Sequence, residues 1–171
     1  MKKTIFLAVM ALLAVSALNA QVIQKGDWAA NVGISLDNTD PMVFGGSVER
    51  GIIDNVFNLD GLTFALGADA SYASKSESAY GIKVSASALV IGIRAPFHYS
   101  PVAKLDLYTA PALYYVTAKA KVLGQSVSDS STEFGWAIIG ARYFFTQNIG
   151  AFLELGHNTS LGMGAGVAFK F

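Results

Sequence analysis

The sequence predicts an all-β chain: eight antiparallel strands, connected up and down, closed into a barrel that crosses a membrane. Three observations predict it. The 171-residue chain is 53% apolar and only 14% charged, where soluble domains carry roughly 25% charged residues. Beyond its first twenty residues it has no apolar run long enough for a membrane helix, which needs about 20 residues. Its apolar residues instead recur at period two, as they do in strands, whose successive side chains point to opposite faces. Within a bilayer only helices and closed barrels satisfy their own backbone groups.

The chain opens with "MKKTIFLAVMALLAVSALNA". Two lysines precede an apolar stretch that ends on small residues, the pattern of a secretory signal peptide. Residues 1–20 are therefore read as a leader cleaved after Ala20, and residues 21–171 as one β-barrel domain. There is no cysteine, so the exported chain has no disulfide framework and no thiol for a lipoprotein anchor. Past the leader, ten basic residues face twelve acidic ones. Nothing in that balance suggests nucleic acid.

The strands follow in order. In residues 28–36, Trp28, Ala30, Val32, Ile34 and Leu36 alternate with Ala29, Asn31, Gly33 and Ser35. Asp37, Asn38, Asp40 and Pro41 then read as a turn. Met42, Phe44, Gly46 and Val48 oppose Gly45, Ser47 and Glu49. After a connection rich in Asp, Asn and Gly, Leu62, Phe64, Leu66, Ala68, Ala70 and Tyr72 oppose Thr63, Ala65, Gly67, Asp69 and Ser71. "ASKSES" (73–78) breaks the pattern and reads as a connection. Tyr80, Ile82, Val84, Ala86 and Ala88 then oppose Gly81, Lys83, Ser85 and Ser87. Residues 89–93 are apolar on both faces, which leaves the register open there; a bulge is one explanation. "HYSPVAK" reads as a turn. Residues 105–118 form a fifth strand of ambiguous facing. "KAKVLGQSVSDSSTE" is the longest polar connection. Residues 133–145 form the sixth strand and "TQN" a tight turn. Ile149, Ala151, Leu153 and Leu155 oppose Gly150, Phe152, Glu154 and Gly156, and "HNTS" leads into the terminal strand "LGMGAGVAFKF".

Each strand is about ten residues long, enough to cross a bilayer at a tilt. Eight is even, so both termini are expected on one side, the periplasm, as in bacterial outer-membrane barrels. Trp28, Phe97, Tyr99, Tyr143, Phe145, Phe169 and Phe171 then fall near one rim. Tyr72, Tyr80, Tyr114, Tyr115, Phe134 and Trp136 fall near the other, as two aromatic belts at the headgroups require. A soluble eight-stranded barrel of the lipocalin type would put its charges outside and an apolar cavity inside. Here the less apolar face is mostly Gly, Ala, Ser and Thr, too bare to solvate an exterior and small enough to fill a narrow interior.

The stretches "GIRAPFHYSPVAKLDLYTAPALYY" and "GARYFFTQNIGAFLELGH" resemble the small outer membrane protein β-barrel domain family of Gram-negative bacteria, the eight-stranded barrels of the OmpA/OmpX type. The shared features are an Arg-aromatic-turn-"LDxY" hairpin, an "ARYFFT-x-NIG-x-F-x-E-x-G" hairpin and an aromatic last residue. These motifs belong to a scaffold that carries unlike roles. The resemblance implies residence in the outer membrane and assembly by the barrel-assembly machinery, with Phe169 and Phe171 as the assembly signal.

The inward face is expected to carry Glu49, Asp69 and Lys83 with Glu154, joined by Arg94, Asp106 and Arg142. Across their turns, Arg94 and Asp106 could sit opposite each other, and Arg142 and Glu154 diagonally. Such charges suit a neutralised plug better than a selectivity path, because eight strands leave an interior just wide enough for side chains and buried charges must be paired. In "GHNTSLG", His157 is followed at two residues by Thr159, with Ser160 one step late and Glu154 on the opposite face. That departs from the Ser–His–acid arrangement in which the acid orients the imidazole, as a lipid A deacylase would need. His98 has no partner pattern, and two histidines without cysteine make no metal-ligand cluster. The expectation is a non-catalytic, cofactor-free monomer in outer-membrane lipid, with a structural or surface-interaction role. The alternatives are a narrow porin or a small-ligand or lipid-binding barrel, with a lipid A-modifying enzyme behind them.

Overall fold

The computed structural model describes residues 22–37, 40–79, 82–123 and 125–171. The expected leader and Tyr80 lie outside the described residues. The strands are β1 (Trp28–Ser35), β2 (Val43–Asp54), β3 (Leu62–Ala79), β4 (Ile82–Arg94), β5 (Phe97–Val102), β6 (Leu105–Val122), β7 (Gln125–Phe144), β8 (Ile149–His157) and β9 (Met163–Lys170).

β4 and β5 are two halves of one barrel strand. Both lie between β3 and β6. The break falls at Ala95 and Pro96, where proline has no N–H to give a ladder. The carbonyl of Pro96 still accepts from Ala65 N at 2.8 Å, so the strand's course continues. Counted this way, eight strands pair antiparallel with their chain neighbours, and β1 pairs with β9 to complete the ring. Phe171 extends that closing seam: its N–H donates to Trp28 O at 3.0 Å, and its carbonyl accepts from Trp28 N at 2.8 Å.

The barrel body is apolar outside. Val32, Leu66, Ile91, Ile93, Leu113, Leu153 and Val167 are all exposed. Trp28, Tyr99, Tyr143, Phe145, Phe169 and Phe171 ring the end that carries the termini; Tyr72, Tyr115, Phe134 and Trp136 ring the other. Tyr114, expected in the second ring, is buried inside. The chain just before β1 is tucked into the terminal end. Ile23 is almost fully buried, Thr63 Oγ1 donates to its carbonyl at 2.9 Å, and Val22 N donates to Ser100 Oγ at 2.9 Å.

Three expected connections are strand. Residues 73–78 continue β3, residues 98–101 lie in β5, and nearly all of residues 119–132 belong to β6 and β7. β3, β4, β6 and β7 therefore run on past the barrel as a four-stranded sheet. Lysine, aspartate and alanine are depleted in strands, but here β4 and β6 have a partner on each side, and β3 and β7 each pair with one of them, so the ladder forms where composition does not advertise it.

The β3–β4 ladder runs unbroken from Ala79↔Ile82 to Gly67↔Arg94, and β4–β6 from Val84↔Val122 to Arg94↔Ala112. There is no bulge in residues 89–93. Because side chains alternate strictly, the facing set by Asp69 and Gly92 inside propagates outward along the extension. Ala86, Ala88, Ala118 and Ala120 fall on the inner face, while Ser85, Ser87, Lys119 and Lys121 fall on the outer one. The expected facing of residues 83–88 is thus inverted. A close contact across β3 and β4, Ser76 Oγ to Ser85 Oγ at 2.7 Å, marks the two as directly opposed on one face. Along β4 and β6 polarity reverses where the extension begins: apolar outside below it, apolar inside above it, while the inner faces of β3 and β7 there carry Lys75, Glu77, Asp129 and Glu133. On the inner face Lys75 pairs with Glu77 at 2.6 Å and with Asp40 of the β1–β2 connection.

Candidate functional site: the charged barrel interior

Six of the seven charged residues expected inside are there; Lys83 is not. Lys83 pairs with Ser78 on the outer face of the extension. The polar alternation of residues 81–87 suggests an inward face, but past the apolar band polar residues point outward.

Glu49 (β2), Asp69 (β3), Arg94 (β4), Asp106 (β6), Arg142 (β7) and Glu154 (β8) are all buried. Their partners differ from the expected pairs. Arg94 does not meet Asp106; its Nη2 donates to Glu154 Oε2 at 2.9 Å, with Glu49 and Asp69 each at 3.6 Å. Arg142 does not meet Glu154. It lies opposite Asp106 on the β6–β7 ladder, donates to it through Nη1 at 2.9 Å, and also pairs with Glu49. Its Nε donates to Asn31 Oδ1 at 2.9 Å.

Three members of the network carried no sequence signal. His98 on β5 has Nδ1 3.0 Å from Asp106 Oδ2 and Nε2 3.3 Å from Glu49 Oε1. A carboxylate therefore faces each ring nitrogen. Tyr108 donates to Glu154 Oε2 at 2.8 Å, and Tyr114 to Asp69 Oδ2 at 2.8 Å. The Tyr108 ring also lies against both guanidiniums, 4.4 Å from Arg142 and 5.5 Å from Arg94. Cation–π attraction to one ring helps accommodate two like charges within one cavity. A lone histidine and two strand tyrosines look ordinary in sequence, because their partners come from six different strands.

Small residues make room for the rings. Gly140 sits opposite Tyr108 and Gly92 opposite Tyr114 on the ladders. A Cβ at either glycine would run into the facing ring. Phe152 similarly lies over Gly33 and Gly166.

The network joins four carboxylates to two guanidiniums and one imidazole, drawn from six strands. Each charge has an opposite charge near it, as burial requires. The histidine considered for hydrolysis is elsewhere: His157 is exposed and opposite Trp136, while Glu154 faces inward and is held by Arg94 and Tyr108.

The ring of antiparallel strands with an apolar exterior and a charged interior is the fold of the small outer-membrane β-barrels. No protein-family model matches the chain, and no curated protein does. Solved structures do match. The N-terminal β-barrel domain of Pseudomonas aeruginosa OprF is 19% identical with TM-score 0.56, covering 86% of this chain and 98% of that one. Ail, the attachment invasion locus protein of Yersinia pestis, is 12% identical with TM-score 0.54, covering 86% and 100%. Neisserial surface protein A is 18% identical with TM-score 0.51, covering 85% and 94%.

Proposed function

We propose that the chain is a non-catalytic outer-membrane protein whose barrel is filled by paired side chains and passes no solute, and whose role is structural or lies in contacts at the membrane surface. The observation that carries this reading is the burial of Glu49, Asp106 and Arg142, each at 1% exposure or less. A water-filled path would wet these charges. Eight strands leave an interior that side chains can fill, and the two arginines, two tyrosines and His98 supply the bulk.

Both termini are assigned to the periplasm. The turn between β5 and β6, on the terminal side, is only residues 103–104, whereas the long hairpins extend from the opposite end; outer-membrane barrels keep short turns inside and longer excursions outside. Residues 1–20 are assigned as the cleaved leader, Phe169 and Phe171 as the signal to the barrel-assembly machinery, and the barrel as a monomer in outer-membrane lipid. A surface-contact role is in keeping with the scaffold: Ail has been crystallised with the heparin analogue sucrose octasulfate.

Solute flux tests the reading. Liposomes loaded with the refolded barrel should swell in small sugars no faster than empty liposomes. Swelling that rises with the amount of barrel and falls with solute size would make the protein a narrow porin.

A further inference from the structure

The outer face of the four-stranded extension carries Lys83, Lys119 and Lys121 and, among the described residues, no carboxylate. The acids of the extension, Glu77, Asp129 and Glu133, fall on its inner face. None of the three lysines has an ion pair with a described residue. Lys119 lies in a cross-strand row between Ser87 and Ser128, and Lys121 between Ser85 and Ser126. The two rows border a shallow groove of about 490 Å³ that reaches down to Tyr72. Lys83 stands diagonally from Lys121, at about 7–8 Å between backbones by sheet geometry. Three like charges clustered without a counterion among the described residues, beside hydroxyl donors, give this face a positive potential suited to an anion.

Position selects the anion. Lys119 is two outward positions beyond Tyr115, with the row of Leu89, Thr117 and Ser130 between the apolar exterior and the lysines. At about 3.3 Å per residue and a tilt near 40°, Lys119 stands roughly 10 Å above Tyr115. Lysine stems can bend back toward the interface with their ammonium groups at headgroup level. We propose that this face binds the phosphate groups of outer-leaflet lipid headgroups, with Lys119 and Lys121 as the central cations, Lys83 beside them and the flanking serines as hydrogen-bond donors. The proposal rests on the membrane location argued above.

The test uses the barrel refolded in detergent micelles and titrated with lipid A, with enzymatically dephosphorylated lipid A and with soluble heparin, bound mass being read by native mass spectrometry. A lysine beside an anionic membrane surface contributes about fivefold in affinity. Lys119→Gln/Lys121→Gln should therefore weaken lipid A binding about 25-fold, whereas Lys25→Gln/Lys104→Gln, which removes equal charge from the terminal end, should leave it unchanged. Dephosphorylated lipid A should bind the unmodified barrel no better than lipid A binds the double variant. Gel mobility before and after boiling, measured on every variant, reports barrel formation separately, so a failure of the membrane reading is not confused with loss of the site. Equal binding by both double variants, or indifference to the phosphates, would overturn the proposal. Heparin binding at concentrations below those of lipid A would overturn it in favour of a soluble polyanion.

Discussion

Arg142 and Asp106 face each other across the β6–β7 ladder, and the guanidinium donates to the carboxylate at 2.9 Å inside the barrel. The same guanidinium pairs with Glu49. Arg142→Met keeps much of the side-chain volume and takes from Asp106 and Glu49 the guanidinium that pairs with both, leaving His98 beside them and Arg94 3.6 Å from Glu49. Removing one partner of a buried pair costs about 3–5 kcal/mol. Urea unfolding of the barrel in lipid vesicles should register a loss of that size. Adding Glu49→Gln and Asp106→Asn should restore most of it. A loss under 1 kcal/mol for Arg142→Met alone would mean that the network contributes little to stability.

Gly140 faces the ring of Tyr108, and a methyl group there has no space. Gly140→Ala should cost about 1–3 kcal/mol by overpacking, and Gly140→Ala with Tyr108→Leu should recover part of it. Thermal unfolding followed by circular dichroism measures both. Additive losses would show that the glycine is not there to seat the ring.

The alternating stretches of β1 and β9 were legible because their exteriors are apolar and their interiors mostly small. The facing of residues 83–88 is the reverse of what the alternation suggests. Period two reports that two faces differ, not which one faces the membrane, and the sense reverses where β4 leaves the apolar band. The interior charges were legible as inward, since Glu49, Asp69 and Glu154 interrupt small-residue faces. Their pairing was not. Proximity across a hairpin suggested Arg142 with Glu154, whereas closure of the ring brings Glu154 to Arg94. His98 was illegible because its two carboxylates arrive from β2 and β6.

Exterior charge should be tolerated by height. Val167 lies between Val32 and Ala151 in the middle of the apolar exterior. Val167→Lys should cost about 2–4 kcal/mol in vesicles if it sits near the midplane. Ser85→Lys, on the same outward sense but above the band and beside Lys121, should cost little. Equal costs at the two sites would contradict the reversal of polarity along the extension.

Phe171 closes the seam through backbone bonds to Trp28, and its ring is largely exposed. Its removal should change detergent refolding little, because a terminal residue frays readily. The amount inserted in the outer membrane of cells should fall much more if the terminal aromatic is an assembly signal. Parallel losses in both measurements would make the residue structural only.

Electrical recording tests the filled interior most directly. Planar bilayers containing the refolded barrel should show no stable openings in concentrated potassium chloride. Arg94→Ala/Arg142→Ala, which empties the space on both sides of Tyr108, should raise the frequency of small openings if it folds. Reproducible nanosiemens-scale openings from the unmodified protein would contradict the account, because the proposed plug built on Arg142, Glu49 and Asp106 leaves no path for ions.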